Sequence, residues 1–400
     1  MPHFPGLAAL RVEPSLDLDR QELGQGLVAH NFTLVSQSHG LLANLNSAPG
    51  SLLTGPTNQD PAYFSLYHQP DLAIEENRVF RYSLIRPAGE TPTQNLIIMV
   101  HGFNERGWAK YLPWAGQLVK RTGQAVLLFP MAFHMNRSPK LWNDPRAMKK
   151  VSSERQKLYP EVRLSTLSNA AISVRMHANP ARFFWSGLVS YHDLLDLIRG
   201  LRAGQLPLVA PEAKLGFFAY SIGAFLAEIV FFANEEGLLS DARLVAFCGG
   251  PVFNRLSPVT KFIIDSEAND QLYSFLVERL ESHQQTDPEL SRFLADDSLA
   301  GRNFRCLLNN QVDRLYREER LRTLTKRVLA LALTQDEVVP PAEIIATLRG
   351  GQGDLDLPVE VLDPPYPYRH EDPFPATGPH QAPAEAWLDK TFELAADFLA

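Results

Sequence analysis

The sequence predicts an α/β fold: a mostly parallel central sheet with helices on both faces and a helical cap inserted late in the chain. Three observations predict it. From about residue 79 onward, short continuous apolar runs alternate with stretches of helical periodicity, the pattern of buried strands covered by helices. A serine flanked by small residues stands where one such strand gives way to a helix. Roughly 70 residues of helical character separate two of the strands, which is too long for a connecting loop.

The elements follow in order. Residues 1–78 are rich in Pro, Gly, Asn and Ser and read as a partly irregular N-terminal arm, with one strand near NFTLVS. VFRYSLIRP (Val79–Pro87) alternates like a half-buried strand, and ETPTQ makes a turn. NLIIMV (Asn95–Val100) is a buried strand. Residues 108–121 follow with apolar positions at helical spacing, and QAVLLFP is a second buried strand. Residues 131–182 interrupt the rhythm and are polar. FFWSGLVSYHDLLDLIRGL (Phe183–Leu201) is an amphipathic helix, KLGFFAY (Lys214–Tyr220) a strand, and IGAFLAEIVFFANEEG a helix. RLVAFCGG, RVLALALTQ (Arg327–Gln335) and PVEVLDP (Pro358–Pro364) are further strands. PPAEIIATLRGG is a helix with a glycine stop, and AEAWLDKTFELAADFLA closes the chain as a helix. The organisation is therefore an arm at 1–78, a core at 79–251 and 326–400, and a helical cap at 252–325.

Composition narrows the function. The 400 residues are 45% hydrophobic and 21% charged, with a formal net charge of −7 and a pI near 5.9. That is ordinary for a globular protein and argues against nucleic acid as a general partner, since phosphate binding needs basic excess. Two cysteines, Cys248 and Cys306, make no disulfide framework; Cys248 lies in an apolar run and reads as a core thiol. No signal-peptide pattern and no apolar run of membrane-spanning length is present, so the expected location is the cytoplasm, with no integral membrane segment. No metal-ligand spacing and no phosphate-binding glycine loop occurs; no cofactor is expected.

Four marks carry chemistry. In A-Y-S-I-G-A (Ala219–Ala224) the strand-to-helix turn needs small residues two before and two after the serine; Gly223 and Ala219 supply them, and Ser221 is the candidate nucleophile. HGFNE (His101–Glu105) follows a strand end. Its backbone, with Phe103 as donor and Asn104 as alternate, can join the Ile222 amide at a helix N-terminus in an oxyanion hole. His101 reads as a brace for this loop. In T-Q-D-E-V-V-P, Asp336 follows a strand and suits the acid that orients a histidine, with Glu337 as alternate. In PYPYRHEDPFP, His370 follows the last strand and is the candidate base, with His380 as competitor. His134, Asn136 and Arg137 follow a strand at the end where ligands of α/β folds bind, and together with His101 and Asn104 they are candidate pocket residues. Arg175 and His177 are weaker candidates. DRLYREERLR reads as a solvated helix face.

The order Ser221, Asp336, His370 on these elements resembles the α/β-hydrolase superfamily, from about Val79 to the C-terminus. Within it, HGFNERGWAKYLPWA, FPMAFHMNRSP, FFWSGL, CGGPVFNRLSPVTKFIIDSEAN and YRHEDPFP are similar to an uncharacterised bacterial family. The resemblance implies an acyl-enzyme mechanism with Ser221, Asp336 and His370 as triad. Ala219 departs from the glycine usual at that place. The expected function is a serine hydrolase of the carboxylesterase or lipase-like kind, acting on a carboxylic ester of a small or lipid-like acyl substrate. The alternatives are a non-catalytic binding protein on the same scaffold, and acyl transfer, thioester or amide cleavage by the same groups.

Overall fold

The computed structural model describes Leu10 and residues 13–46, 60–89 and 91–400. Much of the expected arm, residues 1–9, 11, 12 and 47–59, and Glu90 of the ETPTQ turn lie outside the described residues.

Among the described residues, nine strands form one sheet: β1 (Arg20–Gly24), β2 (Leu27–Val35), β3 (Val79–Pro87), β4 (Thr93–Val100), β5 (Ala125–Phe129), β6 (Val209–Tyr220), β7 (Arg243–Phe247), β8 (Val328–Leu333) and β9 (Val359–Leu362). Their order is β1-β2-β3-β5-β4-β6-β7-β8-β9. The pairs β1/β2, β2/β3 and β3/β5 are antiparallel, and every pair from β5 to β9 is parallel. After β4 the chain builds β5 on one side and β6 on the other. That reversal opens a crevice at the carboxyl ends of these strands. This is the α/β-hydrolase arrangement.

Both faces of the sheet are buried, which is why its central strands read as continuous apolar runs. Leu215, Phe217 and Ala219 of β6 enter one core, with helices Arg182–Arg202 and Ile222–Ala233. Phe218 and Tyr220 enter the other, with helices Tyr111–Thr122 and Gln381–Leu399. Five short helices stand between β7 and β8: Ser266–Tyr273, Leu280–Thr286, Pro288–Phe293, Leu299–Cys306 and Arg314–Arg322. Phe253 and Phe304, from this insertion, pack on Phe183 of the core.

Three elements differ from the sequence expectation. The strand seen in NFTLVS extends to Leu27–Val35 and acquires a partner, β1, whose residues RQELG are exposed or half-buried. An edge strand with no buried face carries no apolar alternation to read. The polar stretch 131–182 contains helices Pro145–Leu158 and Ala170–Ala178, the latter buried at every position. Its polar groups go inside in pairs: Arg155 with Asp265, and Arg175 and Arg182 with Asp71, because buried charges persist when partnered. In DRLYREERLR, Arg317 and Glu318 are buried rather than solvated. Arg317 donates to the carbonyls of Asn309 and Asn310, and Glu318 accepts from the Gly351 amide at 2.8 Å.

Candidate active site

β6 ends at Tyr220, and the next residue turns at once into the helix Ile222–Ala233. Ser221 has φ 56° and ψ −123°, a region that L-residues avoid at a cost of roughly 1–3 kcal/mol. The surroundings fix it there. Its amide donates to the Phe247 carbonyl at 3.0 Å, and its own carbonyl accepts from Ala224 at 2.9 Å. A side chain at Gly223 would bring a Cβ to 2.6 Å from the His101 carbonyl oxygen and 2.7 Å from that of Val100. One at Gly249 would meet the Ala224 Cβ at 2.4 Å. The turn is tight because β4, β6 and β7 crowd it, and glycines stand where the crowding is worst.

A chain of hydrogen bonds leaves the serine. Its Oγ lies 2.8 Å from His370 Nε2, and His370 Nδ1 lies 2.7 Å from Asp336 Oδ2. The other Asp336 oxygen accepts from the amides of Val338 and Val339 at 3.0 and 2.8 Å. Asp336 and His370 are buried and Ser221 is half-buried. A carboxylate that accepts from Nδ1–H leaves Nε2 as the acceptor facing the hydroxyl. Neither Glu337 nor His380 takes part; His380 instead stacks on Tyr366.

His370 rests on a platform that the sequence does not announce. The Tyr220 ring stacks on His370 at 5.2 Å, and its hydroxyl donates to the His370 carbonyl. Lys110 lies over the Tyr220 ring at 4.7 Å, bonds Glu105 and donates to the Glu371 carbonyl at 3.1 Å. Tyr111 accepts from the Gly102 amide at 2.9 Å and donates to Glu105 at 2.9 Å. Burial pushes both tyrosines well above their ordinary pKa, so they stay neutral donors. The available signal was Tyr220 itself, which flanks the serine and, in a strand, points to the opposite face.

The loop after β4 is held rigidly. Met131 N–H donates to His101 Nε2 at 2.9 Å, so the ring proton sits on Nδ1 and donates to the Gly102 carbonyl at 2.8 Å. Burial drives the His101 pKa well down; the ring is a neutral brace. Asn104 adopts φ 59°, which Asn tolerates well, and its amide donates to the carbonyls of Ser168 and Phe262. Ile222 begins its helix, where the first amides lack intrahelical acceptors; no backbone acceptor among the described residues takes it or the Phe103 amide.

The remaining expected pocket residues divide. His134 lines an apolar cavity beside Phe103, and Asn104 lines an outer polar groove. His101, Asn136 and Arg137 line neither. Asn136 donates to the Arg81 carbonyl. Arg137 is fully buried and pairs with Asp193 at 2.6 Å while bonding Asn77 and the Pro130 carbonyl. Following a strand end put these residues near the ligand face, but their donors are consumed in tying β5 to its neighbours. Arg175 and His177 are likewise spent on buried partners.

The cavity at Ser221 holds about 50 Å³ and is walled by Phe103, Phe183, Ile222, Phe225, Pro251 and Val338 among others, with no charged side chain among the described residues. Cys248 lies against Asp336 and His370: one ligand-type atom of each of the three falls within 4.8 Å of the others. Burial and the Asp336 charge push the thiol up, away from the thiolate a metal requires, and Asp336 and His370 are already bonded to each other.

A family model described as a family of unknown function, DUF6051, matches residues 54–400. No curated protein sequence matches the chain. Similar solved structures include carboxyl esterase 2 of the mycorrhizal fungus Tuber melanosporum, at 13% identity over 80% of this chain and 81% of that one, TM-score 0.44. Esterase Est22 is 10% identical over 94% and 82%, TM-score 0.47. The carboxylesterase Cest-2923 of Lactobacillus plantarum WCFS1 is 10% identical over 80% and 94%, TM-score 0.41. Among the described residues no helix is long and apolar enough to cross a membrane.

Proposed function

The chain belongs to the family of unknown function DUF6051, and from its site we propose that it is a serine hydrolase that cleaves carboxylic esters through an acyl-enzyme. The observation that carries the reading is the unbroken chain Ser221–His370–Asp336, at 2.8 and 2.7 Å, starting from a serine at φ 56°.

Ser221 Oγ attacks the ester carbonyl carbon while His370 Nε2 takes its proton. Asp336 stabilises the imidazolium through Nδ1–H. The tetrahedral oxyanion rests on the amides of Ile222 and Phe103, the first at a helix N-terminus whose dipole favours negative charge. The C–O bond breaks as His370 returns the proton to the leaving alcohol. Water then attacks the acyl-enzyme with His370 as base, releasing the carboxylic acid and restoring Ser221. The uncharged lining around Ser221 favours an ester that is itself uncharged near the scissile bond, since burying an unpaired charge is costly.

A fluorophosphonate probe is expected to label wild-type protein at Ser221 and not Ser221→Ala. Hydrolysis of p-nitrophenyl butanoate should fall by at least about 10³-fold in that variant. An unlabelled Ser221 in folded protein, or equal rates for the two proteins, would overturn the reading.

A further inference from the structure

Behind the cavity at Ser221 lies a second apolar cavity of about 60 Å³. It is bounded by the helices Arg182–Arg202, Ile222–Ala233 and Leu299–Cys306, through side chains such as Leu188, Leu226, Ile229, Ala300 and Phe304. Four residues line both cavities: Phe103, Phe183, Ile222 and Phe225. Phe183 is the centre of that shared wall. Its ring lies 6.1 Å from Phe103, 6.4 Å from Phe225, 5.4 Å from Phe253 and 6.3 Å from Phe304.

Among the described residues, no Asp, Glu, Lys or Arg lines this chamber. Its one histidine, His134, is held neutral by burial, with its pKa brought down to about 4. The Ser190 and Tyr191 hydroxyls donate to Ser186 and Glu235. Walls of this kind favour a hydrocarbon occupant over water, because covering apolar surface is favourable. A third space, the outer groove of about 640 Å³, also touches Phe103 but is lined by Glu105, Arg106, Lys110 and Glu371. The two spaces suit the two halves of an ester differently. During an acyl-enzyme cycle the acyl chain stays attached to Ser221, whereas the alcohol must leave and water must enter. The apolar chamber fits the part that stays, and the polar groove fits the traffic.

We propose that the inner chamber receives the far end of an unbranched, uncharged acyl chain and that Phe183, standing between the chamber and Ser221, sets the chain length the protein accepts. This rests on the serine-hydrolase reading above. Ala300, which lines the chamber but not the cavity at Ser221, gives a way to fill the chamber without touching the reacting groups.

The test is kcat/KM on p-nitrophenyl acetate, butanoate, hexanoate and octanoate. Each methylene buried in the chamber should add up to about fourfold, so wild type should prefer hexanoate to acetate. Ala300→Phe should lower hexanoate turnover by about tenfold or more while leaving acetate within about threefold. Phe183→Ala should raise octanoate relative to acetate by about tenfold. If Phe183→Ala fails to melt cooperatively, Ala300→Phe alone decides. A chain-length profile in Ala300→Phe that superimposes on wild type would overturn the proposal. Labelling by methyl and hexyl fluorophosphonates separates the two readings: no label with either sinks the serine hydrolase, whereas equal labelling with a flat ester profile sinks only the chamber.

Discussion

Replacing Asp336 by Asn tests the triad at its least exposed member. The two Asp336 oxygens have different duties: Oδ1 accepts from Val338 and Val339, and Oδ2 faces His370 Nδ1. An Asn side chain has one acceptor and one donor end. Two backbone N–H groups can be satisfied only by the acceptor, so the amide oxygen must take the Oδ1 place. The NH₂ end then faces His370, whose Nδ1 has to become the acceptor. The proton moves to Nε2, and Nε2 can no longer take the proton of Ser221. The expected loss is about 10⁴ in kcat at neutral pH, near 5.5 kcal/mol of transition-state stabilisation. Stability should change little, because both backbone bonds survive. Asp336→Ala, in contrast, leaves two buried amides without acceptors, at roughly 1–3 kcal/mol each. The assay is kcat on p-nitrophenyl butanoate together with thermal melting of both variants. An Asp336→Asn protein that melts like wild type and keeps more than about a tenth of its kcat would refute the tautomer argument.

Gly223→Ala places a Cβ 2.6 Å from one strand-end carbonyl and 2.7 Å from another; backbone must move, at about 1–3 kcal/mol, and the displaced serine should lose about 10² in kcat/KM. Gly40→Ala, with nothing within 4 Å, is the control, and equal activity of the two variants would count against the crowded turn. Arg137→Met should cost about 3–5 kcal/mol by stranding the buried Asp193 carboxylate, yet leave KM for the ester unchanged; a raised KM at unchanged melting temperature would restore Arg137 to the pocket. Glu228 is buried with both carboxylate oxygens unpartnered, and burial lifts its pKa well above 4.5. Because the native state then holds a proton that the unfolded chain releases, wild type loses stability as pH rises above about 4.5. Glu228→Met should therefore melt higher, with the gap widening from pH 4 to pH 8; a constant or narrowing gap would contradict the assignment.

The strands β3 to β8 were legible because each is buried on at least one face and announces itself by apolar residues. The limits of β6 were not. It begins at Val209, five residues before the apolar run, where VAPEA has two exposed positions. The exposed edge strand β1 and the buried helix Ala170–Ala178 were missed for opposite reasons. One has no buried side. The other buries arginine, serine and histidine in partnerships with residues distant in sequence, such as Ser173 with Asp265 and Arg175 with Asp71. The same limit misled the reading of Arg137, whose partner Asp193 lies 56 residues away.

By itself the sequence determined the order of the strands from β3 onward, the turn at Ser221 and which strand ends carry Asp336 and His370. These are local properties, written in apolar periodicity and in small residues where backbone must turn sharply. Only the tertiary structure decided that His370 rather than His380 meets the serine, that Tyr220 and Lys110 pack beside it, and that Phe183 lines both apolar cavities. Those depend on distances between residues far apart in the chain, and burial and pairing appear only once the sheet has brought them together.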